Sequence, residues 1–442
     1  MDKMGKITLG IWERRKFWRR CDMNKWYKLD NAAKIFPSVT TDKRTNVFRL
    51  SVVLAEEVEP ELLKEALNVT VGRFPSLKVR MKRGLFWYYL EENHAEANVY
   101  PESPHICQRL KRKENNGYLF KVSYHSSRIN LEVFHSLTDG SGALEFLKAI
   151  VFNYLLLAGK DVDGENLILT SDIENVYEEA QDSFIKNYKP SLKNNKRDPK
   201  ALQFRGNYYD DLYLSLITGE VSVPKLKEVA HRYSATISEF LTACLLYSGR
   251  NMTHLFKGRG KPLQIFIPVN LRKYFPSRTL RNFSLFISAG MMPNEEWDFE
   301  TILQHVKNVF AEELTKEKLQ ERIVANVTIE KNIFLRLVPL FIKELVLKIG
   351  YSAWGDKLNT MTFSNIGVVK LPKSMEPHVR KFIFTNGASK TSPVNVGGIS
   401  YRDRMQITFA GAIRERDLQR EFYRLLSSFG LEVLIETNEL EV

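Results

Sequence analysis

The sequence contains very little cysteine, with Cys21, Cys107 and Cys244 spread over 442 residues. The three are odd in number and far apart, so a framework of disulfides is not expected. This usage favours a reducing compartment, and we expect a cytoplasmic protein. No histidine stands at ligand spacing from another histidine or a cysteine, so no metal site is predicted.

Long apolar runs are also missing. The nearest candidate, 333–351, is interrupted by four charged residues and a proline, which predicts an amphipathic helix over Asn332 to Ile349 rather than a membrane span. Residues 1–24 form a basic extension with aromatic residues among arginines, but no apolar core of a secretory signal follows. We expect this extension to pack on the body of the protein, with peripheral contact to a membrane surface as the alternative.

Several catalytic signatures are absent as well. Without a Gly-x-Ser-x-Gly motif, a covalent acyl-enzyme is not expected. Without a glycine-rich phosphate loop or dinucleotide fingerprint, nucleotide hydrolysis and hydride transfer are poorly supported. The net charge of +13 would suit nucleic acid, an anionic membrane or an anionic small molecule. No nucleic-acid-binding motif accompanies it, so nucleic acid is not an expected partner.

The most informative stretch that is present covers residues 129–142. Apolar and polar residues alternate from Ile129 to Phe134, which predicts a strand that delivers His135 at its end. Asp139 and Gly140 follow in a turn, and the apolar spacing over 143–157 predicts a helix behind it. A histidine placed this way can take a proton from a hydroxyl or an amine near neutral pH, while Asp139 is expected to hold the loop.

The spacing alone is a weak signal. Three fixed positions of the form His-x-x-x-Asp-Gly occur by chance in roughly a few per cent of chains of this length. The alternative interpretation is a structural turn without chemistry, and the strand before and the helix after are what favour a catalytic one.

Residues 134–142, FHSLTDGSG, resemble the His-x-x-x-Asp-Gly signature of the CoA-dependent acyltransferase superfamily. That group includes chloramphenicol acetyltransferase, the plant BAHD acyltransferases and the condensation domains of nonribosomal peptide synthetases. Segments 26–37, 267–272, 281–283 and 362–367 support the resemblance, which covers residues 26 to about 437 and is strongest to bacterial alcohol acetyltransferase-like proteins. Condensation domains usually carry two adjacent histidines, whereas Phe134 precedes His135 here, which argues against carrier-protein condensation.

The length exceeds what one hydrophobic core normally supports, so two domains are expected. The resemblance implies an α/β (α+β) fold with two chloramphenicol-acetyltransferase-like lobes, each a mixed sheet with flanking helices, and a tunnel between them. We place the basic extension at 1–24, the N-terminal lobe at 25–185 and the C-terminal lobe at 207–442. The linker is placed at 186–206, where core residues are few and chain breakers frequent.

The predicted catalytic group consists of His135, Asp139 and Gly140, whose neighbouring backbone N–H is a candidate donor to an oxyanion. Arg272 follows a predicted strand of the second half, and the resemblance favours a bidentate pair with Asp139 across the lobe junction. An exposed arginine in a proline-rich loop is the alternative. Asn270 and Asn282 are expected to support the site.

Ser364 and Asn365 are further candidates for oxyanion stabilisation. They place a hydroxyl and an amide where a strand over Asn359 to Phe363 is predicted to end. Donors fixed in advance beside a tetrahedral oxyanion often supply the largest catalytic effect in acyl transfer. The alternative is a strand-terminating turn whose polar groups are satisfied locally.

These expectations add up to an acyltransferase. His135 would deprotonate an acceptor hydroxyl, which attacks the thioester of acyl-CoA and yields an ester and free CoA. Acyl-CoA is then a cosubstrate, no separate cofactor is expected, and the protein is expected to be a monomer. Two alternatives stay open: an acyl carrier protein as donor or an amine as acceptor, and a catalytically silent binding member of the same fold.

Overall fold

The computed structural model describes residues 26–170, 176–190, 199–250, 252–258, 260–293, 296–353 and 357–439. The basic extension predicted at 1–24 lies outside them. The strands are β1 (Trp26–Lys28), β2 (Val47–Leu54), β3 (Val79–Arg83), β4 (Tyr88–Glu92), β5 (Val99–Pro101), β6 (Phe120–His125), β7 (Arg128–Phe134), β8 (Gln203–Phe204), β9 (Ser215–Ser222), β10 (Phe256–Lys257), β11 (Leu263–Asn270), β12 (Ser284–Met291), β13 (Met361–Val369), β14 (Val379–Thr385), β15 (Val394–Tyr401), β16 (Arg404–Gly411) and β17 (Leu434–Thr437). The α-helices are α1 (Phe36–Val39), α2 (Pro60–Arg73), α3 (Gly140–Leu157), α4 (Ser183–Lys186), α5 (Val223–Arg232), α6 (Ile237–Gly249), α7 (Phe299–Glu313), α8 (Lys316–Lys331), α9 (Ile333–Leu337), α10 (Leu340–Ala353) and α11 (Asp417–Ser428).

Two mixed sheets organise the chain. The first has the strand order β14-β2-β7-β6-β5, and the second has the order β12-β11-β13-β15-β16-β9-β17. In the first sheet only β5 and β6 run parallel, and in the second β13 runs parallel to both of its neighbours. A smaller sheet, β1-β4-β3, and the pair β10-β8 complete the described strands.

Strand β7 is buried on both faces, which fixes its register and therefore the position of the residue after it. Ile129, Leu131 and Val133 belong to the core of the N-terminal lobe, where α2 and α3 pack against each other. On the other face Glu132 pairs with Arg49 of β2 at 3.0 Å. Helix α3 is the one helix of the described residues that is long and apolar enough to span a membrane, but 72% of it is buried inside the lobe.

One strand crosses the predicted lobe boundary. Strand β14 comes from the segment that we assigned to the C-terminal lobe, yet it pairs with β2 at the edge of the N-terminal sheet. Phe382 and Phe384 of this strand are buried in the N-terminal core. The edge of the first sheet is thus completed by residues that lie far along the chain, which no local composition change could indicate.

Two sequence-based element boundaries are wrong, that of the strand predicted over 359–363 and that of the helix predicted over 332–349. Of the predicted linker, 191–198 lies outside the described residues, while Leu202 and Phe204 are buried in the core and β8 pairs with β10. The strand predicted over 359–363 is β13, which extends to Val369. The single helix predicted over 332–349 is two helices, α9 and α10, which are separated around Pro339.

Candidate active site

The ring of His135 is held from both sides, at the point where β7 ends. Its backbone N–H donates to the Asn46 carbonyl oxygen at 2.9 Å. The ring stacks on Phe36 of α1 at a centroid distance of 5.0 Å and meets the edge of Phe48 of β2 at the same distance. The side chain is half-buried, so these contacts hold the ring without enclosing it fully.

A hydrogen bond from His135 to Asn282 assigns the proton on this ring. Nδ1 of His135 lies 3.1 Å from Oδ1 of Asn282, and Nδ2 of Asn282 donates to Oδ2 of Asp30 at 3.2 Å. Because the amide nitrogen is committed to a carboxylate, the amide oxygen must accept from Nδ1–H. Nε2 is then left with its lone pair, and no described residue hydrogen-bonds to it. A neutral imidazole in this tautomer can accept a proton at Nε2.

Asp30 belongs to this hydrogen-bond network, although the sequence analysis did not single it out. Its side chain is fully buried, lies 3.6 Å from Arg281 Nε and accepts the Ala33 N–H at 2.8 Å. Burial raises the pKa of the Asp30 carboxyl, while Arg281 and the hydrogen bonds from Ala33 and Asn282 oppose that rise. The one available signal was its place inside segment 26–37, which carried the family resemblance without a role for this residue.

Asp139 is the N-cap of α3, and both of its carboxylate oxygens accept hydrogen bonds from the protein. One carboxylate oxygen accepts the Gly142 N–H at 3.1 Å, and the other accepts Arg272 Nη1 and the Phe283 N–H, each at 2.8 Å. Its side chain is only 5% exposed. An aspartate that accepts this many hydrogen bonds holds the turn in place, which is the role that the sequence suggested for it.

The predicted pair between Asp139 and Arg272 is confirmed as a contact, but its predicted bidentate geometry is wrong. Only Nη1 reaches the carboxylate, because both oxygens of Asp139 already serve backbone donors. The rest of the guanidinium donates elsewhere, with Nε to the Thr279 carbonyl at 3.0 Å and Nη2 to the Arg281 carbonyl. Arg272 therefore ties the loop between β11 and β12 to the start of α3.

Asn270 adds a second tie across the same junction. Its Nδ2 donates to Ser141 Oγ in the first turn of α3 at 2.9 Å. Its Oδ1 accepts the Arg272 N–H at 3.0 Å. The supporting role predicted for Asn270 is therefore matched by contacts on both sides of the junction.

The glycines of the motif have different surroundings. A Cβ on Gly142 would lie 2.1 Å from the Leu280 carbonyl oxygen and 2.2 Å from Thr138 Oγ1, so only glycine fits there. A Cβ on Gly140 would meet the side chain of Ile366 at 3.2 Å. The Gly140 N–H occupies the first position of α3, where a helix offers no internal acceptor, so it can donate to a ligand.

Ser364 and Asn365 are not joined to this network. Both lie within β13, and Asn365 hydrogen-bonds Ser238 Oγ at 3.3 Å and the Gly367 N–H at 3.0 Å. Within the described part of the chain, no hydrogen bond connects either residue to His135. Ile366 nevertheless lies against Gly140, so this strand runs past the start of α3.

Comparison with solved structures identifies the fold. TRI101 of Fusarium sporotrichioides, solved with coenzyme A and T-2, is 10% identical with a TM-score of 0.60 over 92% of this chain and 99% of that chain. The trichothecene 15-O-acetyltransferase TRI3 of the same organism is 10% identical with a TM-score of 0.56 over 91% and 94%. The starter condensation domain of rhizomide synthetase, solved with C8-CoA and Leu-SNAC, is 14% identical with a TM-score of 0.54 over 91% and 94%.

No protein-family model and no curated protein matches the sequence. At identities this low, the likeness to solved structures concerns the fold. The predicted fold class, a mixed α/β architecture of two lobes, is confirmed, and the chain has the fold that CoA-dependent acyltransferases share with condensation domains.

Proposed function

We propose that this protein transfers an acyl group from acyl-CoA to an acceptor hydroxyl, as an enzyme of the alcohol O-acyltransferase type. The observation that carries the proposal is the geometry of His135. Its ring is clamped between two phenyl rings and its Nδ1–H is committed to Asn282, which leaves Nε2 as a base of fixed orientation. A positioned general base of this kind typically accelerates a reaction by about a hundred- to ten-thousand-fold.

The reaction needs no covalent enzyme intermediate. Nε2 of His135 takes the proton of the acceptor hydroxyl while the oxygen attacks the thioester carbonyl and forms a tetrahedral intermediate. When that intermediate collapses, the carbon–sulfur bond breaks and the imidazolium returns its proton to the departing thiolate. The products are an ester and CoA with a free thiol, and acyl-CoA is consumed as a cosubstrate.

The remaining site residues position these groups. Asp139, Arg272 and Asn270 hold the turn that follows His135 against the second lobe. The Gly140 N–H, at the positive end of α3, is the donor that we assign to the oxyanion. Ser364 remains a second candidate donor. Asn365 is the weaker one, because its amide is already shared between Ser238 and Gly367.

The choice of CoA as donor is supported by ligands bound in similar structures. Two of the similar structures were solved with coenzyme A or C8-CoA. CoA carries several phosphate charges, which suits a chain with a net charge of +13.

A carrier-protein donor is the second candidate. It is favoured by the likeness to a condensation domain of a peptide synthetase. The single histidine speaks against it, because Phe134 stands where condensation domains usually carry the first of two histidines.

A donor and acceptor panel tests the proposal. The full chain is incubated with acyl-CoA of several chain lengths and with alcohols or amines, and free thiol and product are measured together. We expect thiol release that depends on an alcohol and is matched by ester. Turnover only with an acylated carrier protein would replace the donor, and hydrolysis without transfer to any acceptor would contradict the proposal.

A further inference from the structure

The densest group of exposed large apolar side chains in the described residues lies on two consecutive helices, α9 and α10. We define the apolar hairpin as residues 333–349, and its exposed members are Ile333, Phe334, Leu335, Leu337, Phe341, Ile342, Leu345, Val346 and Ile349. Phe334 is 80% exposed. Contiguous apolar surface of this kind marks an interaction site.

Helix α10 is amphipathic in the reverse of the usual sense. Leu340, Lys343 and Glu344 face the protein, while Phe341 and Leu345 face away from it. A surface helix normally turns its apolar stripe towards the core and its charged residues towards water. Within the described residues, nothing covers this outward stripe.

The inward face of α10 is held by specific contacts, so the orientation is set by the fold. Lys343 Nζ donates to the Phe86 carbonyl oxygen at 3.0 Å and lies 3.7 Å from the centre of the Trp87 ring. Glu344 pairs with Arg83 at 2.9 Å and accepts from the Tyr88 hydroxyl. Both partners belong to the β3–β4 hairpin, whose tip adds Leu85 to the exposed apolar surface.

Cations border the apolar hairpin. Arg336 and Lys348 are exposed, and no acid in the described part of the chain pairs with either side chain. The nearby acids are occupied, since Glu330 pairs with Lys34 and Glu344 with Arg83. A cavity of about 600 Å³ opens beside the hairpin and is lined by five aromatic residues and Arg336, with Lys28 also at its wall. The border therefore carries a positive charge.

We infer that the apolar hairpin is an interfacial membrane-binding surface for bilayers that contain anionic lipids. Apolar side chains flanked by Arg and Lys are the composition with which monotopic helices enter the boundary between headgroups and acyl chains. Helix α10 spans about 21 Å, too short to cross a hydrocarbon core of about 30 Å, so it would lie in the plane of the surface. A second copy of the chain fits less well, because a twofold contact through this face would oppose the same cations.

The surface lies close to the candidate active site. Helix α10 packs against α1, and Phe36 of α1 stacks on His135. Membrane binding through the hairpin would thus bring this side of the N-terminal lobe to the lipid. The inference itself does not depend on catalysis, because binding is measured without substrate.

Vesicle flotation of the full chain tests the inference. Vesicles of phosphatidylcholine are compared with vesicles that also contain phosphatidylglycerol. We expect the wild type to float with the anionic vesicles, and the double variant Phe341→Gln, Leu345→Gln to lose at least about tenfold in its partition coefficient. Removing both cations, as in Arg336→Gln with Lys348→Gln, should reduce the preference for anionic vesicles by about fivefold for each residue.

The matched control changes two apolar residues of comparable exposure elsewhere. Leu434 and Ile435 of β17 are 60% and 46% exposed, against 64% and 60% for Phe341 and Leu345. The variant Leu434→Gln, Ile435→Gln should float like the wild type. Equal flotation of the Phe341 and Leu345 variant, or equal binding to neutral and anionic vesicles, overturns the inference. Absence of flotation together with a dimer that the same variant dissociates would assign the face to a second copy.

Discussion

The orientation of His135 depends on residues that are far away in the sequence. Asn282 lies 147 positions from His135, and Asp30 lies 252 positions from Asn282. The contact between His135 and Asn282 and that between Asn282 and Asp30 are each a single hydrogen bond, and only the fold brings these residues together. The relay from Asp30 through Asn282 to Nδ1 sets the tautomer, so it controls which nitrogen is free for chemistry.

This relay predicts a catalytic loss without a loss of substrate binding. In Asn282→Ala, Nδ1 loses its partner and the imidazole can rotate or change tautomer, so kcat should fall by about tenfold to a hundredfold while KM stays nearly constant. Steady-state kinetics on an established substrate pair measure both values. Asn68→Ala, which removes a part-buried asparagine bonded to Ala97, is the control and should leave kcat unchanged. An unchanged kcat in Asn282→Ala would show that the relay does not position the base.

The pair of Asp139 and Arg272 predicts strong energetic coupling. The two side chains are 5% and 16% exposed, and removing one partner from such a pair typically costs about 3–5 kcal/mol. Urea unfolding of Asp139→Asn, Arg272→Ala and the double variant should therefore give a cycle far from additive. The exposed pair of Glu228 and Arg232 is the control and should couple by less than about 1 kcal/mol. Additive losses at Asp139 and Arg272 would contradict the account of this junction.

Residues next to a motif could be predicted, and residues that only the fold brings to it could not. Asp139 and Arg272 each stand in a segment with its own signature, so a pair was a natural expectation. Asp30 has no such signature, since a single buried carboxylate leaves no periodic pattern. The bidentate geometry failed for a related reason, because the backbone donors of Gly142 and Phe283 cannot be seen in the sequence.

At the scale of elements, the start of α3 packs tightly against the loop before β12. Gly142 faces the Leu280 carbonyl oxygen and Thr138 Oγ1 with no room for a methyl group. Gly142→Ala should therefore lower the free energy of unfolding by about 3 kcal/mol and displace the turn that carries Asp139. Urea midpoints measure the change.

Gly72 of α2 provides the matched control. No atom lies within 4 Å of a Cβ at that position, so Gly72→Ala should stabilise the protein by roughly 0.5–1 kcal/mol through helix propensity. Equal effects of the two substitutions would mean that the approach at Gly142 is not tight.

Asp182, which lies near Asp30, should make the stability of the protein depend on pH. Asp182 caps α4 and accepts the Asn31 N–H at 3.0 Å, and burial, followed by the nearby charge of Asp30, raises the pKa of Asp182 to about 6. An unfolded aspartate has a pKa of about 3.9. Between this pH and the raised pKa of Asp182, the folded state holds the proton more tightly than the unfolded state. This group therefore makes stability fall as the pH rises from about 4 to about 6.

Asp182→Asn should remove the loss of stability that Asp182 causes between about pH 4 and pH 6. The variant should therefore become more stable relative to the wild type as the pH rises. Urea midpoints between about pH 4 and pH 7 measure the slope. Asp298→Asn is the control, since hydrogen bonds from Thr301 lower the pKa of this exposed cap and move its effect below that range. Parallel curves for wild type and Asp182→Asn would contradict the raised pKa.

Strong periodicity predicted whether an element is a helix or a strand. It did not always predict whether the apolar face of that element is turned towards the core or towards the solvent. Thr236 and Glu239 form a capping box at the start of α6. Over 332–349 the periodicity indicated helix correctly, yet the apolar stripe faces outward because the β3–β4 hairpin supplies partners for Lys343 and Glu344. A hydrophobic pattern gives the spacing of a stripe and does not say what covers it.

At the scale of the whole molecule, the histidine belongs to one lobe and part of its support to the other. His135 and Asp139 follow the N-terminal sheet, while Arg272 and Asn282 lie beside β11 and β12 of the C-terminal sheet. The strand β14 joins the two halves further by completing the N-terminal sheet from the far side of the chain. Strand order across lobes leaves no trace in local composition, which is why the predicted boundary at 206 placed β14 in the other lobe.

The comparison of His135→Ala with His125→Ala is the most direct test of the central claim that His135 is the base of an acyl transfer. His125 is an exposed histidine at the end of the neighbouring strand β6, so it controls for the loss of an imidazole as such. Both variants should remain folded by circular dichroism, and initial rates of ester formation from acyl-CoA are measured for each. The account predicts a loss of at least about a hundredfold for His135→Ala and wild-type rates for His125→Ala. A folded His135→Ala variant that forms ester at nearly the wild-type rate would contradict it.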